Sequence, residues 1–401
     1  MNRRDLLVRG SGMATGLASA AVIGSEIAQA QALDWQREAD VVVIGAGATG
    51  LTSAIRAHES GASVIVVETE ADIGGHAIVS GGNVALGGGT SAQKKHGIDD
   101  SPDLLFRDLT DWSVVEPNGF PDYRYNDREI IRAFADHSAA TYDWLVAHGV
   151  VFVDKAPDAQ GGLATGNSVP RENHAAIMDW PRVQTGAQVD PKIRATFSSG
   201  NGLMRPLEAF ARKAGIEILL EHRMMAIHRQ SAKAGPVLGI AVETKGTSFN
   251  LRARKAIVIA TGGSTGNVNF RRMFDPRLTE EYCGLLGMPW SNQDASGEIA
   301  AMDIGASLWG FYNQVGEFGQ AIIKCNMIGS QYGYPKLGFL PGSPVFAKAR
   351  ATGLEVTDWQ NAIMVNMIGK RFYDETGPQY TANNYKSLDP YTQTSYLNAK
   401  N

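Results

Sequence analysis

The 401-residue sequence predicts an α/β fold, a parallel sheet carrying a nucleotide across the carboxyl ends of its strands. Three observations predict it. An apolar run at 41–44 meets Gly45-x-Gly47-x-x-Gly50. A helical pattern follows, with Leu51, Ala54 and Ile55 on one side. A second apolar run at 63–67 ends in Glu68. Strand, three glycines, helix, strand and acid in register make a Rossmann-like dinucleotide fingerprint.

Each position has a physical task. Gly45 permits the tight turn, and Gly47 lets backbone approach a pyrophosphate seated on the helix N-terminus, flanked by Ala46 and Thr49. Gly50 lets the helix pack on the strand. Glu68 accepts both hydroxyls of an adenosine ribose, with Thr69 beside it.

The stretch after the acid is richer in glycine than a simple dinucleotide domain needs. Gly74-Gly75-His76-Ala-Ile-Val-Ser80-Gly81-Gly82 places two glycine pairs where side chains would collide with a flat or anionic ligand. With the fingerprint, it resembles flavoproteins of the fumarate reductase, succinate dehydrogenase and 3-ketosteroid dehydrogenase superfamily. The spacing is closer to the ketosteroid dehydrogenase form. The resemblance implies an FAD-binding domain with an inserted α+β capping domain, and FAD as cofactor. It raises a covalent flavin link at His76, against a histidine that only hydrogen-bonds the cofactor.

Composition narrows the rest. The length suits a large core and two or three domains, and a net charge of −4 gives no reason to expect nucleic acid. No stretch reads as a transmembrane span, and no metal-ligand cluster occurs. Cys283 and Cys325 are the two cysteines, without a haem-attachment motif, so electrons must pass to a separate carrier or acceptor. Arg3-Arg4 ahead of an Ala/Gly-rich run resembles a twin-arginine export signal over 1–32, which implies a periplasmic location; an ordinary secretory signal is the alternative.

Further elements follow in order. Residues 83–121 read as surface connection with a short helix at 101–109. A helix at 127–150 is capped by Asn126 or Asp127 and ended by Gly149, with Ile130, Ile131, Phe134, Tyr142, Trp144 and Leu145 on its apolar face. After loops at 156–202 come a helix at 203–213, a strand at 216–220, a hairpin at 224–229 and 237–243, and a strand at 256–260. That strand runs into Ala260-Thr261-Gly262-Gly263, which resembles the superfamily's second nucleotide-contacting turn. Asp294-Ala-Ser-Gly297-Glu298 before an apolar helix is an imperfect match to a further family motif, usually Gly-Asp-Gly.

From about 311 the pattern loses its period, and Asn366-Met-Ile-Gly369-Lys-Arg371-Phe372-Tyr-Asp-Glu375 resembles the cap motif of these flavoproteins. The implied division is 33–310 for the FAD-binding domain and 311–401 for a cap. Relatives of that type run on further, so a truncated cap, with a flavin-binding but inactive chain, is the alternative expectation. The resemblance implies hydride exchange between flavin N5 and a C=C or C–C bond next to a carbonyl or carboxylate. Gln379 stands where fumarate reductases carry a proton-donating arginine, and Glu317 where they carry a substrate-binding histidine. A dicarboxylate is therefore disfavoured, and an enone or enoate is the expected small-molecule substrate. Tyr380 is the first acid–base candidate, followed by Tyr332 and Tyr334, with Glu317 at the cap entrance.

Overall fold

The computed structural model describes residues 33–308, apart from 79, 114–126, 160–162, 164–166, 179–197, 265 and 275–291. The expected signal segment, the cap, Cys283 and Cys325 lie outside the described residues.

The glycine fingerprint builds the centre. β1 (Arg37–Ile44) enters α1 (Ala48–Glu59), and β2 (Val64–Val67) returns beside β1. β1 and β2 pair in parallel, with Val41 opposite Val64 and Ile44 opposite Val67. β5 (Glu217–Leu219) extends the parallel sheet beyond β2. On the other side of β1 lies β8 (Thr247–Ile259), also parallel. The order is β5-β2-β1-β8-β7-β6, with β6 (Arg223–Ser231) and β7 (Ala234–Thr244) antiparallel.

β8 is longer than the 256–260 strand read from sequence. Its first half pairs antiparallel with β7, Gly239 opposite Arg252 and Thr244 opposite Thr247, while Leu251 to Ile259 pairs with β1. The polar run Thr247-Ser-Phe-Asn-Leu-Arg hid this extension, because its outward residues need no core.

Alternating strand residues feed two cores. Val43, Val64 and Val66 pack with Leu51, Ala54 and Ile55 of α1 and with Met204, Leu207 and Ala211 of α6 (Asn201–Lys213). On the opposite face Val42, Ile44, Ile65 and Val67 meet Met224, Ile227, Ile240 and Val242.

The glycine-rich stretch contains a short helix, Gly75–Ile78, and the segments read as connection or loop contain a helix, Ser91–Lys95, and a small sheet of Asn83–Ala85 with Glu172–His174. The helix at 101–109 runs Pro102–Ser113. The helix Arg128–Ala147 is capped by Asp127, whose carboxylate accepts from Glu129 and Ile130 N–H. Its buried stripe is Ala135, Ser138, Tyr142 and Leu145, whereas Ile130 and Phe134 are exposed, correcting the expected apolar face. The stripe follows 3.6-residue spacing from Tyr142 and Leu145, which leaves Ile130 and Phe134 off the contact side.

A buried clasp holds the segments around this helix together. Arg171 grips Asp100 through two hydrogen bonds, at 2.8 and 2.9 Å, and reaches Asp108 at 2.6 Å. Among the described residues no helix is long and apolar enough to cross a membrane.

Candidate cofactor and active site

The carboxyl ends of β1, β2 and β8 open onto a cleft of about 640 Å³. Its floor is the turn after β1. Gly45 has φ +102, and a Cβ there would lie 2.2 Å from the Ala260 carbonyl oxygen. A Cβ on Gly50 would lie 1.9 Å from the Gly45 carbonyl oxygen, so this glycine seats the helix on the turn itself rather than on the strand. Gly47 is different. It precedes α1 with an ordinary φ of −77, and a Cβ there would meet only the Gly74 oxygen, at 3.9 Å. Gly47, Ala48 and Thr49 bring the amino end of α1 to the cleft, and among the described residues no side chain caps it and no acid stands in its first turn.

Glu68, at the end of β2, is 5 % exposed and lines the cleft. Its Oε2 accepts the Ala46 N–H at 2.7 Å and its Oε1 the Glu70 N–H at 2.9 Å. A carboxylate has room for further donors on both oxygens. Burial pushes this carboxyl up to about 7, against the pull of the two N–H donors.

The opposite wall comes from 292–298 and α8 (Ser296–Asp303). Asn292 Nδ2 donates to Glu70 Oε1 at 2.9 Å, and Arg223 pairs with Asp294 at 2.9 Å. Burial raises the Asp294 carboxyl, but hydrogen bonds from Ser296 and the Arg223 charge outweigh it, and it lies below the usual range. Gly297 packs where a Cβ would strike Thr261 Oγ1 at 2.2 Å.

Of the positions expected from sequence, Gly45, Gly47, Thr49, Glu68, Thr69, Gly75, His76, Ala260, Thr261, Gly262 and Gly263 line this cleft. Ala46, Gly50, Gly74, Ser80, Gly81 and Gly82 do not, and most of these act behind it. Gly74 N–H donates to the Ala46 carbonyl at 2.9 Å. The Ser80 carbonyl accepts from Gly200, and a Cβ on Gly82 would lie 2.5 Å from Ser199 backbone. Tyr332, Tyr334, Tyr380 and Glu317 lie outside the described residues. Sequence reading missed His222, Arg223, Asn292 and Gln293 as cleft residues. They carry no motif and reach the site only because the sheet returns there. Among the described residues no cluster of His, Cys, Asp and Glu could hold a metal ion.

The FAD binding domain family matches residues 40–305, the whole of this glycine-lined region. The chain belongs to the FAD binding domain family. FAD is its cofactor. The cleft fits that group by its shape and donors: Gly47 and Gly263 leave open space, a helix amino end faces it, and a buried carboxylate stands at the end of β2. A fumarate reductase (cytochrome) of Shewanella frigidimarina is 28% identical over 337 residues, 84% of this chain and 48% of that protein. A 3-oxosteroid 1-dehydrogenase of Mycolicibacterium smegmatis is 26% identical, over 86% of this chain and 63% of its own length. The chain thus spans about half to two thirds of the curated relatives it matches. The solved 3-ketosteroid-Δ4-(5α)-dehydrogenase of Rhodococcus jostii RHA1, in complex with 4-androstene-3,17-dione, superposes with a TM-score of 0.55 at 26% identity. That superposition covers 69% of this chain and 56% of the dehydrogenase. The open flavocytochrome c3 fumarate reductase shares the fold, with a TM-score of 0.52 at 22% identity, over 74% of this chain and 44% of its own.

Proposed function

We propose that this protein is an FAD-dependent oxidoreductase that reduces or desaturates a carbon–carbon bond next to a carbonyl or carboxylate. The observation that carries the reading is the glycine-floored cleft ending at Glu68, in a chain whose relatives are named for fumarate reduction and 3-oxosteroid dehydrogenation. When bound, FAD supplies the hydride-exchange chemistry. The chain's own part is binding and orientation. The amino end of α1 takes the pyrophosphate, Glu68 the adenosine ribose, and the Thr261-Gly262-Gly263 turn passes beside the cofactor.

The proposed substrate is an enone or singly charged enoate. Gln379 and Glu317 support this, because neither offers the cationic contacts that a dicarboxylate needs. Tyr380 is the proposed proton donor or acceptor, with Tyr332 and Tyr334 as the other candidates. Export by the twin-arginine route, supported by Arg3-Arg4, would deliver the folded flavoprotein to the periplasm, with a separate electron carrier.

The test is a visible spectrum of the purified protein followed by anaerobic substrate screening. Flavin bands that a saturated 3-oxosteroid bleaches, or that an enone restores after reduction, support the proposal. Turnover with fumarate and none with any enone or monocarboxylate sinks the substrate assignment.

A further inference from the structure

We propose that Gln293, together with Glu298, forms a second polar contact set in the cofactor cleft and takes a hydroxyl-bearing segment of FAD. The proposal rests on FAD occupying this cleft. Gln293 is 2 % exposed and lines the cleft, and its side-chain Nε2 has no hydrogen-bond partner among the described residues. Glu298, in the first turn of α8, lines the same cleft, and its Oε2 is likewise buried without a partner. A buried polar atom gives up hydration with nothing in return, so native folds leave few of them. Two such atoms on one wall of a ligand cleft point to a ligand that satisfies both.

The backbone around Gln293 supports the same conclusion. Gln293 has φ +47 and Ala295 φ +62, two left-handed residues that are not glycine, on either side of Asp294. The segment is held there by its neighbours. The Gln293 carbonyl accepts the Gly266 N–H at 2.7 Å, and the Ala295 N–H donates to the Gly263 carbonyl at 3.0 Å. Asn292 is bonded to Glu70 and Asp294 to Arg223. Within this pinned segment the Gln293 Nε2 is buried without a hydrogen-bond partner among the described residues.

The chemistry selects hydroxyl groups. An amide N–H donates, and a carboxyl accepts or, when protonated, donates. Burial pushes the Glu298 carboxyl up, and the nearby Asp294 charge adds to the effect. A phosphate only accepts and would leave a Glu298 carboxylate oxygen without a donor, whereas a hydroxyl donates and accepts at once. FAD offers hydroxyls in its adenosine ribose and in its ribityl chain.

The test uses the full chain stripped of flavin, titrated with FAD and in parallel with ADP, for wild type, Gln293→Leu and Glu298→Gln. Ligand-free thermal unfolding is recorded for each. Gln293→Leu is expected to bind FAD about tenfold more weakly. Its ligand-free Tm should equal or exceed that of wild type, because the unsatisfied amide is gone. Weaker ADP binding as well assigns the contact to the adenosine ribose, and unchanged ADP binding assigns it to the ribityl chain. FAD affinity unchanged in both variants overturns the proposal alone. A clear drop in the ligand-free Tm of Gln293→Leu also overturns it, since the side chain would then support the fold. A wild-type chain that takes up no FAD overturns the cofactor assignment and this proposal with it.

Discussion

The Glu68 carboxylate closes the glycine loop onto the sheet: its Oε2 accepts the Ala46 backbone N–H at 2.7 Å, across 22 residues of chain. One buried acid thus fixes the turn after β1 to the end of β2 while it lines the cleft. The ionised form suits a ribose, since it accepts only.

This gives a pH dependence for cofactor uptake. With the carboxyl raised to about 7, FAD must displace a proton below that pH and none above it. FAD affinity is expected to rise as pH increases through 7 and then level off. Fluorescence titrations from pH 5.5 to 9 check this, and Glu68→Gln should bind more weakly with a flat profile. A wild-type profile that is flat through neutrality contradicts the role.

Gly47 and Gly50 should separate binding from folding. Gly50→Ala drives a Cβ to 1.9 Å from the Gly45 carbonyl, so the turn must shift. A loss of about 2–4 kcal/mol in urea unfolding is expected, in the range of overpacked sites. Gly47→Ala meets nothing closer than 3.9 Å at an ordinary φ. Its stability should stay within about 0.5 kcal/mol of wild type while FAD affinity falls by tenfold or more, on the order of one lost backbone contact.

Arg171→Met should be among the most damaging changes distant from the cleft. It strands two buried acids, Asp100 with a fully buried side chain and Asp108 at 8 % exposure. The expected cost is about 3–5 kcal/mol by chemical denaturation. Burial raises the Asp100 carboxyl, but Arg171, Gln93 and the Gly88 N–H outweigh it, so its pKa is lowered from 3.8. The stabilisation is therefore present above pH 3.8 and is lost as pH falls through the lower folded value. Wild type should show this acid loss, and Arg171→Met with Asp100→Asn should blunt it.

Ala295→Gly should stabilise the protein. Ala295 is fully buried at φ +62, a conformation that strains an L side chain by about 1–2 kcal/mol. The greater freedom of unfolded glycine takes back part of that gain, so a net increase of about 0.5–1 kcal/mol is expected. A lower Tm for the variant would mean that the Ala295 methyl packs better than its backbone strains.

The fold's centre and half of the site are legible in sequence for a local reason. Gly45, Gly47, Gly50 and Glu68 are close in the chain, and each obeys a steric or charge requirement visible at its own position. The paired strands β1 and β2 announce themselves as apolar runs because both faces are buried. The same local logic found Tyr142 and Leu145 of Arg128–Ala147, which are buried, but wrongly added Ile130 and Phe134, which are exposed. Which face of a helix is covered depends on its neighbours, not on its own residues.

Of the other wall, 294–298 was legible as an imperfect motif, and the rest was placed by tertiary structure. Asn292, Gln293 and Arg223 are polar residues without a motif, about 150 to 250 residues from the fingerprint. Asn292 and Gln293 follow β8, which turns from its hairpin with β7 into parallel register with β1, and Arg223 follows β5, where His222 N–H donates to the Glu68 carbonyl. Sequence by itself determined the nucleotide-binding floor, since backbone clearance and a helix amino end are short-range properties. The facing wall, with its buried Gln293 amide and raised Glu298 carboxyl, exists only once sheet order brings distant segments together and removes water from them.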